Sequence, residues 1–289
     1  MYMGIIDDLK MQYKTGGITQ QLIFWNIGIA IPLFLLYSFS SDTYLSIMSW
    51  LQLTSDPAEF IVKPWTILTY GFLHVGILHL LFNMIMLNFA GRLFLTFFTQ
   101  KQFLGVYILG AIFAGLVFIG SFFLFNVKAP IIGASGAIMA VLIGSATYAP
   151  LYQIRLLLIG TVKLWHIAFV FLILDLIQLP TDNMGGHIAH LGGALFGFAY
   201  IKILQNGTDL SLIVTKIIDF FANLFKPRKG TPFKKVHRNV SQPKPKTASK
   251  IVVKDKTQQQ IDEILDKISQ SGYDSLTKEE KEFLFKAGK

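Results

Sequence analysis

Long apolar runs, rather than alternating or amphipathic stretches, dominate the first two thirds of the chain. A membrane-crossing helix needs about 20 mostly apolar residues. Six runs approach that length, at 21–39, 66–90, 102–125, 135–150, 156–178 and 187–205. The first run is followed by others of its kind, so it reads as an uncleaved span rather than a signal peptide. The fourth is the shortest. As a helix of about 16 residues it reaches only ~24 Å, against a hydrocarbon core of about 30 Å. Its start is therefore expected below the membrane surface, where backbone groups need a water-lined cavity.

The pattern changes after the sixth run. Asp209, Ser211, Thr215, Lys216, Asp219 and Asn223 recur at roughly helical spacing among apolar residues, which predicts an amphipathic interfacial helix over 208–225. A seventh crossing is the alternative, but the segment is short and a crossing would carry a basic tail outward. Residues 226–256 hold 11 Lys/Arg, one acid and repeated prolines, as expected of a disordered linker near an anionic membrane face. Beyond it, Thr257 with Gln260 and Thr277 with Glu280 fit capping boxes. Ile261, Ile264, Leu265 and Ile268 form one helical face, and Gly272 can end that helix. A small helical hairpin is expected over 257–289.

Composition sharpens this division. The 289 residues are 53% hydrophobic and 15% charged, where soluble domains carry about 25% charged residues. Residues 1–225 hold 10 Lys/Arg and 9 Asp/Glu, while 226–289 hold 16 and 8, so the net +9 divides into +1 and +8. A membrane domain over 21–205, preceded by a segment over 1–20, is thus followed by a basic soluble tail. The tail's charge is assigned to membrane lipid, with no nucleic acid expected. Lys10, Lys14, Arg92, Lys101, Arg155 and Lys163 flank one set of span ends; Asp42, Asp56, Glu59, Lys63, Lys128 and Asp182 occupy the alternate loops. The positive-inside rule then puts both termini in the cytoplasm. Zero cysteines exclude disulfides, thiolate zinc sites and a cysteine nucleophile.

Polar residues inside spans are costly and therefore suspect. The strong ones are His74, His79, Asn83, Ser135, Asp175, His187 and His190. Span four opens with Gly133-Ala134-Ser135-Gly136. That puts a serine at a helix start beside backbone N–H groups able to hold an oxyanion. Span six carries His190 one turn before the GxxxG pair Gly193 and Gly197, a pattern that lets another helix approach closely. Span two places His79 and Asn83 on one face at i and i+4. Each motif alone is equally well explained by ordinary packing or an interhelical hydrogen bond. Together, three spans running the same way bring a nucleophile, a base and oxyanion donors to similar depth. Asp175 is expected to cap or bond a loop, with no part in the chemistry. Neither H-E-x-x-H nor a nearby carboxylate repeat accompanies the histidines, so no metal is expected. A transporter would show internal repeats, and none is visible.

With H-L-L-F-N at 79–83, G-A-S-G at 133–136 and A-H-L-G-G-A-L-F-G at 189–197, the chain resembles the rhomboid family over about residues 60–205. The resemblance implies an all-α, six-transmembrane-helix bundle, with a small cytoplasmic C-terminal helical segment in this chain. It implies an intramembrane serine endopeptidase with a Ser–His dyad and no cofactor. Ser135 would be the nucleophile and His190 the base and then the acid. His79, Asn83 and the Ser135 N–H would hold the oxyanion. Gly133, Gly136, Met139, Gly193 and Gly197 would support them. His190 is preferred to His187 because only His190 has glycines three and seven residues on. Substrates would be single-span membrane proteins, cut near the extracytoplasmic boundary, in a bacterial inner membrane. The alternative is a catalytically inactive rhomboid-like protein for membrane-protein binding or quality control. Three departures stand out: Met139 replaces the Tyr or Phe often packed on the base, Leu51 rather than Arg follows Trp50, and no acid occurs around 92–96.

Overall fold

The structure, a computed structural model, describes residues 4–126, 129–157, 159–181, 183–224 and 256–287. Apart from Lys256, the expected basic linker lies outside these residues, as do Lys128 and Asp182. The chain forms two compact units, 1–227 and 228–289.

The first unit is mostly helical. It begins with α1 (Ile5–Thr15), whose first turn carries Asp7 and Asp8 and whose last carries Lys14, matching the helix dipole. α2 (Gly17–Phe39) follows. The loop beyond holds α3 (Ser41–Leu51), β1 (Leu53–Thr54) and α4 (Pro57–Val62), the last capped by Asp56. α5 (Thr66–Thr69) runs into a 3-10 turn, Tyr70–Phe72, before α6 (Ile77–Leu95) and α7 (Gln100–Phe125). Then come β2 (Pro130–Ile131), α8 (Ser135–Tyr148), β3 (Gln153–Leu156), β4 (Gly160–Lys163), α9 (Leu164–Gln178), α10 (Met184–Gln205) and α11 (Ser211–Leu224).

Three expectations change. The bundle is not purely α: β1 pairs with β2 and β3 with β4, both antiparallel. The second helix does not start at 66. Residues Leu73–Gly76 are non-helical, and α6 begins only at Ile77. Tertiary contacts hold the preceding stretch, with Tyr70 Oη donating to the Ala111 carbonyl at 2.7 Å and the Tyr70 carbonyl accepting from Gly133 N at 2.9 Å. The fifth helix starts at Leu164 rather than 156, because the residues before it fold as the β3–β4 ribbon. There β-branched Ile154, Thr161 and Val162 suit a strand, and Gly160, at φ +90°, turns the chain.

Among the described residues, four helices, α2, α6, α7 and α10, are long and apolar enough to cross a membrane; α8 and α9 are apolar but only 14 and 15 residues long. α8 lies at the centre. Every residue from Gly136 to Ala146 is buried, packed among α6, α7 and α10. Lipid tails solvate apolar side chains as well as protein does, so such helices associate through close packing at small residues. The GxxxG pair of α10 does this against α8. A Cβ on Gly193 would lie 2.0 Å from the Gly136 carbonyl oxygen, and one on Gly197 2.1 Å from that of Ala140.

α11 crosses the start of α7, where Ser211 sits against Gly105. The Asp209 carboxylate ties this end together, accepting from Tyr200 Oη, Ser211 N and Gln102 Nε2 at 2.9, 2.9 and 3.1 Å. Burial pushes the Asp209 carboxyl up, but hydrogen bonds from Ser211, Tyr200 and Gln102 outweigh it and hold the group below its usual range.

In the second unit, α12 (Lys256–Ser271) and α13 (Lys278–Ala287) flank a 3-10 turn, Tyr273–Ser275. Gly272, at φ +79°, ends α12. Thr277 and Glu280 close a capping box, and Lys267 Nζ meets Glu280 Oε1 at 2.9 Å. The other expected box, at Thr257 and Gln260, involves a Thr257 side chain outside the described ones. Ile264 is buried, whereas Leu265, expected on the same face, is exposed.

Candidate active site

Ser135 is the first residue of α8, so its N–H has no carbonyl within the helix to bond. The loop before it is pinned by the β1–β2 pairing and by the Gly133–Tyr70 hydrogen bond. Gly133 is at φ +134°, and a Cβ there would lie 3.1 Å from His79 Nε2 and 3.5 Å from Ser135 Oγ. The backbone conformation therefore calls for glycine, and a Cβ would in addition press on the His79 ring.

His190 stands in the second turn of α10, with Nε2 2.6 Å from Ser135 Oγ. The two residues are 55 apart in sequence and meet because Gly193 and Gly197 bring α10 onto α8. On the other side of the ring, Nδ1 lies 2.8 Å from Asp175 Oδ1, and His187 Nδ1 is 2.7 Å from that same oxygen. Asp175 thus bonds two histidines, which corrects its expected role as a loop anchor. α9 ends at Gln178, and the chain reverses through Asn183 in the left-handed region, so the last turn of α9 lies beside the first turns of α10. The sequence did carry a signal for this. Asp175 and His187 lie at the joined ends of two consecutive spans, where antiparallel helices meet.

An ionised carboxylate only accepts, so with Asp175 charged both Nδ1 atoms carry hydrogen. A neutral His190 then has a bare Nε2, and Ser135 Oγ–H donates to it. This tautomer is assigned from the network. Asp175, His187 and His190 also offer three metal-ligating atoms within 4.8 Å of one another. No sequence repeat ties this carboxylate to the histidines, and its contacts have hydrogen-bond lengths.

His79 Nδ1 accepts from Val75 N at 3.3 Å, which leaves Nε2 to carry the proton of a neutral ring, facing Gly133. Asn83 Nδ2 donates one hydrogen to the His79 carbonyl at 2.9 Å, while its Oδ1 is buried without a hydrogen-bond partner. His79, Asn83, Ser135 and His190 line one cavity of about 470 Å³, whose other walls include apolar Phe82, Met86, Ile131 and Ile138. All four principal candidates are therefore brought together. His74 lies behind His79, with ring centroids 5.2 Å apart, and is buried with neither ring nitrogen bonded.

The departures resolve differently. Met139 is buried within α8, and the described ring contact of His190 is with His187, edge-on at 5.8 Å. Trp50, lacking a following Arg, stacks on Trp65 at 6.0 Å, while Lys63 Nζ lies 5.2 Å from its ring.

The family model for the Rhomboid domain matches residues 62–207. A second model, a family of unknown function (DUF6576), matches 252–286. Among similar proteins is Presenilin-associated rhomboid-like protein A, mitochondrial, of Danio rerio, 28% identical over 155 residues, or 51% of this chain and 39% of that protein. The Presenilin-associated rhomboid-like proteins, mitochondrial, of Homo sapiens and Rattus norvegicus are 28% and 29% identical, each match covering 51% of this chain and 40% of the relative. The matched region thus spans about two fifths of the length of these relatives. The domain match takes in every residue of the cavity's polar cluster, and on it the chain belongs to the rhomboid family.

Proposed function

We propose that this protein is an intramembrane serine endopeptidase. The observation that carries this reading is the 2.6 Å contact between Ser135 Oγ and His190 Nε2 in a cavity that also holds His79 and Asn83. Ser135 Oγ attacks the scissile carbonyl carbon as His190 Nε2 takes its proton. The Ser135 N–H, His79 Nε2–H and the remaining Asn83 amide hydrogen meet the developing oxyanion. When the intermediate collapses, the C–N bond breaks and His190 returns the proton to the leaving amine. Water, activated by the same ring, then releases the acyl group from Ser135. Gly133 and Gly136 give the nucleophile its turn and its helix contact. Gly193 and Gly197 bring the base to it, and Met139 fills the core behind.

The proposed substrate is a single-span membrane protein whose segment reaches the apolar cavity near the extracytoplasmic boundary. The accompanying arrangement has six spans with both termini on the cytoplasmic side, α11 in the interface and the basic tail beside anionic lipid. The relatives are mitochondrial by name, which favours a mitochondrial-type membrane over the bacterial inner membrane expected from sequence; the side called cytoplasmic above would there be the matrix side.

A second reading has support of its own. The relatives' names, presenilin-associated and rhomboid-like, describe association rather than hydrolysis. Taken alone, they favour a rhomboid-like protein that holds membrane proteins without cutting them. The deciding experiment incubates purified wild type and Ser135→Ala with a model single-span substrate and with a fluorophosphonate probe. Cleavage and labelling by wild type, both abolished in Ser135→Ala at unchanged thermal stability, are expected. Substrate binding without cleavage or labelling in wild type would establish the second reading instead.

A further inference from the structure

A carboxylate within an apolar helix is costly unless it is paired, and Asp175 has only 8% of its side chain exposed. Its Oδ1 contacts Nδ1 of His190 at 2.8 Å, on the side of the ring opposite Ser135. The position that often packs an aromatic ring on the base holds Met139 here, and the ring beside His190 is that of His187. The hydrogen bond to Asp175 is therefore the polar contact that fixes how the imidazole faces Ser135. We propose that Asp175 is a positioning residue for His190, so that the machinery is a Ser135–His190–Asp175 chain spread over α8, α10 and α9 rather than a two-residue dyad. This role rests on the protease reading and deepens it.

Two physical effects follow from the contact. Accepting from Nδ1–H locks the tautomer whose Nε2 can receive the serine proton. Once that proton arrives, the carboxylate faces an imidazolium, which it stabilises while remaining ionised. His187 bonds the same oxygen from one turn earlier on α10. It orients the carboxylate but is not itself in contact with Ser135. Asp175 is thus held from two sides and acts on the reaction through one.

The test uses full-length protein in detergent and the substrate above. Asp175→Asn preserves shape but offers an amide that can donate to Nδ1, favouring the wrong tautomer. It is expected to lower kcat by up to about 10⁴-fold, the loss that the same change produces at the carboxylate of a Ser–His–Asp protease. KM and thermal stability should stay close to wild type, and fluorophosphonate labelling should slow in parallel. Asp175→Ser serves as a second variant that removes the carboxylate without an amide. His187→Asn, which leaves the Asp175–His190 contact in place, is expected to lower kcat less than Asp175→Asn; an equal or larger loss would overturn the role given to Asp175. An Asp175→Asn protein with kcat within twofold of wild type, or one raising KM alone, would overturn the role while leaving the protease reading intact. Failure of wild type itself to cleave or label would remove both.

Discussion

α8 and α9 are both short, apolar and packed against α10, yet they are held in opposite ways. α8 is buried along eleven consecutive residues, Gly136 to Ala146, and meets α10 backbone to backbone. α9 buries only Leu164, Ala168 and Asp175, while Trp165, Phe169, Val170, Leu174, Leu176 and Ile177 face outward. The first helix is positioned by steric contact along its length. The second hangs on a narrow stripe that ends in a polar contact. In lipid, where exposing an apolar side chain costs little, these are the two ways to fix a helix. Ser135 stands on the first and Asp175 on the second.

Substitutions can break this contrast. Gly193→Val should have the largest structural effect, since its Cβ would fall 2.0 Å from the Gly136 carbonyl oxygen. α10 must move away, so both thermal stability and cleavage should be lost. A variant with normal melting and turnover would show that the backbones are not in contact. Leu164→Ala removes the fully buried foot of the α9 stripe. It should cost roughly 2 kcal/mol, the low end for a buried leucine, with melting lowered and turnover reduced less than in Asp175→Asn. A larger loss of turnover than of stability would mean that packing, not the carboxylate, positions α9. Phe169→Ala, on the outward face, should change stability by no more than about 0.5 kcal/mol, measured in the same melting assay. A larger drop would reveal a partner on that face.

Legibility from sequence followed the same division. That Ser135, His190, His79 and Asn83 converge is legible because short motifs carry them and because GxxxG announces a close helix crossing. α8 is legible because its residues are mostly apolar. Asp175 stands out in the sequence as a charge within an apolar run, but its role does not. Its partners lie 12 and 15 residues away, across a turn that depends on Asn183 adopting φ +47°, and no motif encodes that meeting. The part of the β3–β4 ribbon from 156 onward merges into the fifth apolar run because Leu156 and Val162 look the same in a strand as in a span. The break before α6 was missed for a related reason. Residues 66–76 carry no Asp, Glu, Lys or Arg and run straight into the apolar helix, and two long-range hydrogen bonds at Tyr70, one donated and one accepted, set their path.

The contact of Gly193 with Gly136 and of Gly197 with Ala140 also bears on how the site responds to heat. Side chains between helices can exchange rotamers as temperature rises, and a separation set by them loosens gradually. Peptide units in direct contact have no such intermediate settings. The spacing between the helices that carry Ser135 and His190 is therefore governed by main-chain stiffness, and it should hold nearly constant until α8 and α10 separate cooperatively. Turnover should then climb with temperature along a single smooth activation curve and end abruptly at the melting transition.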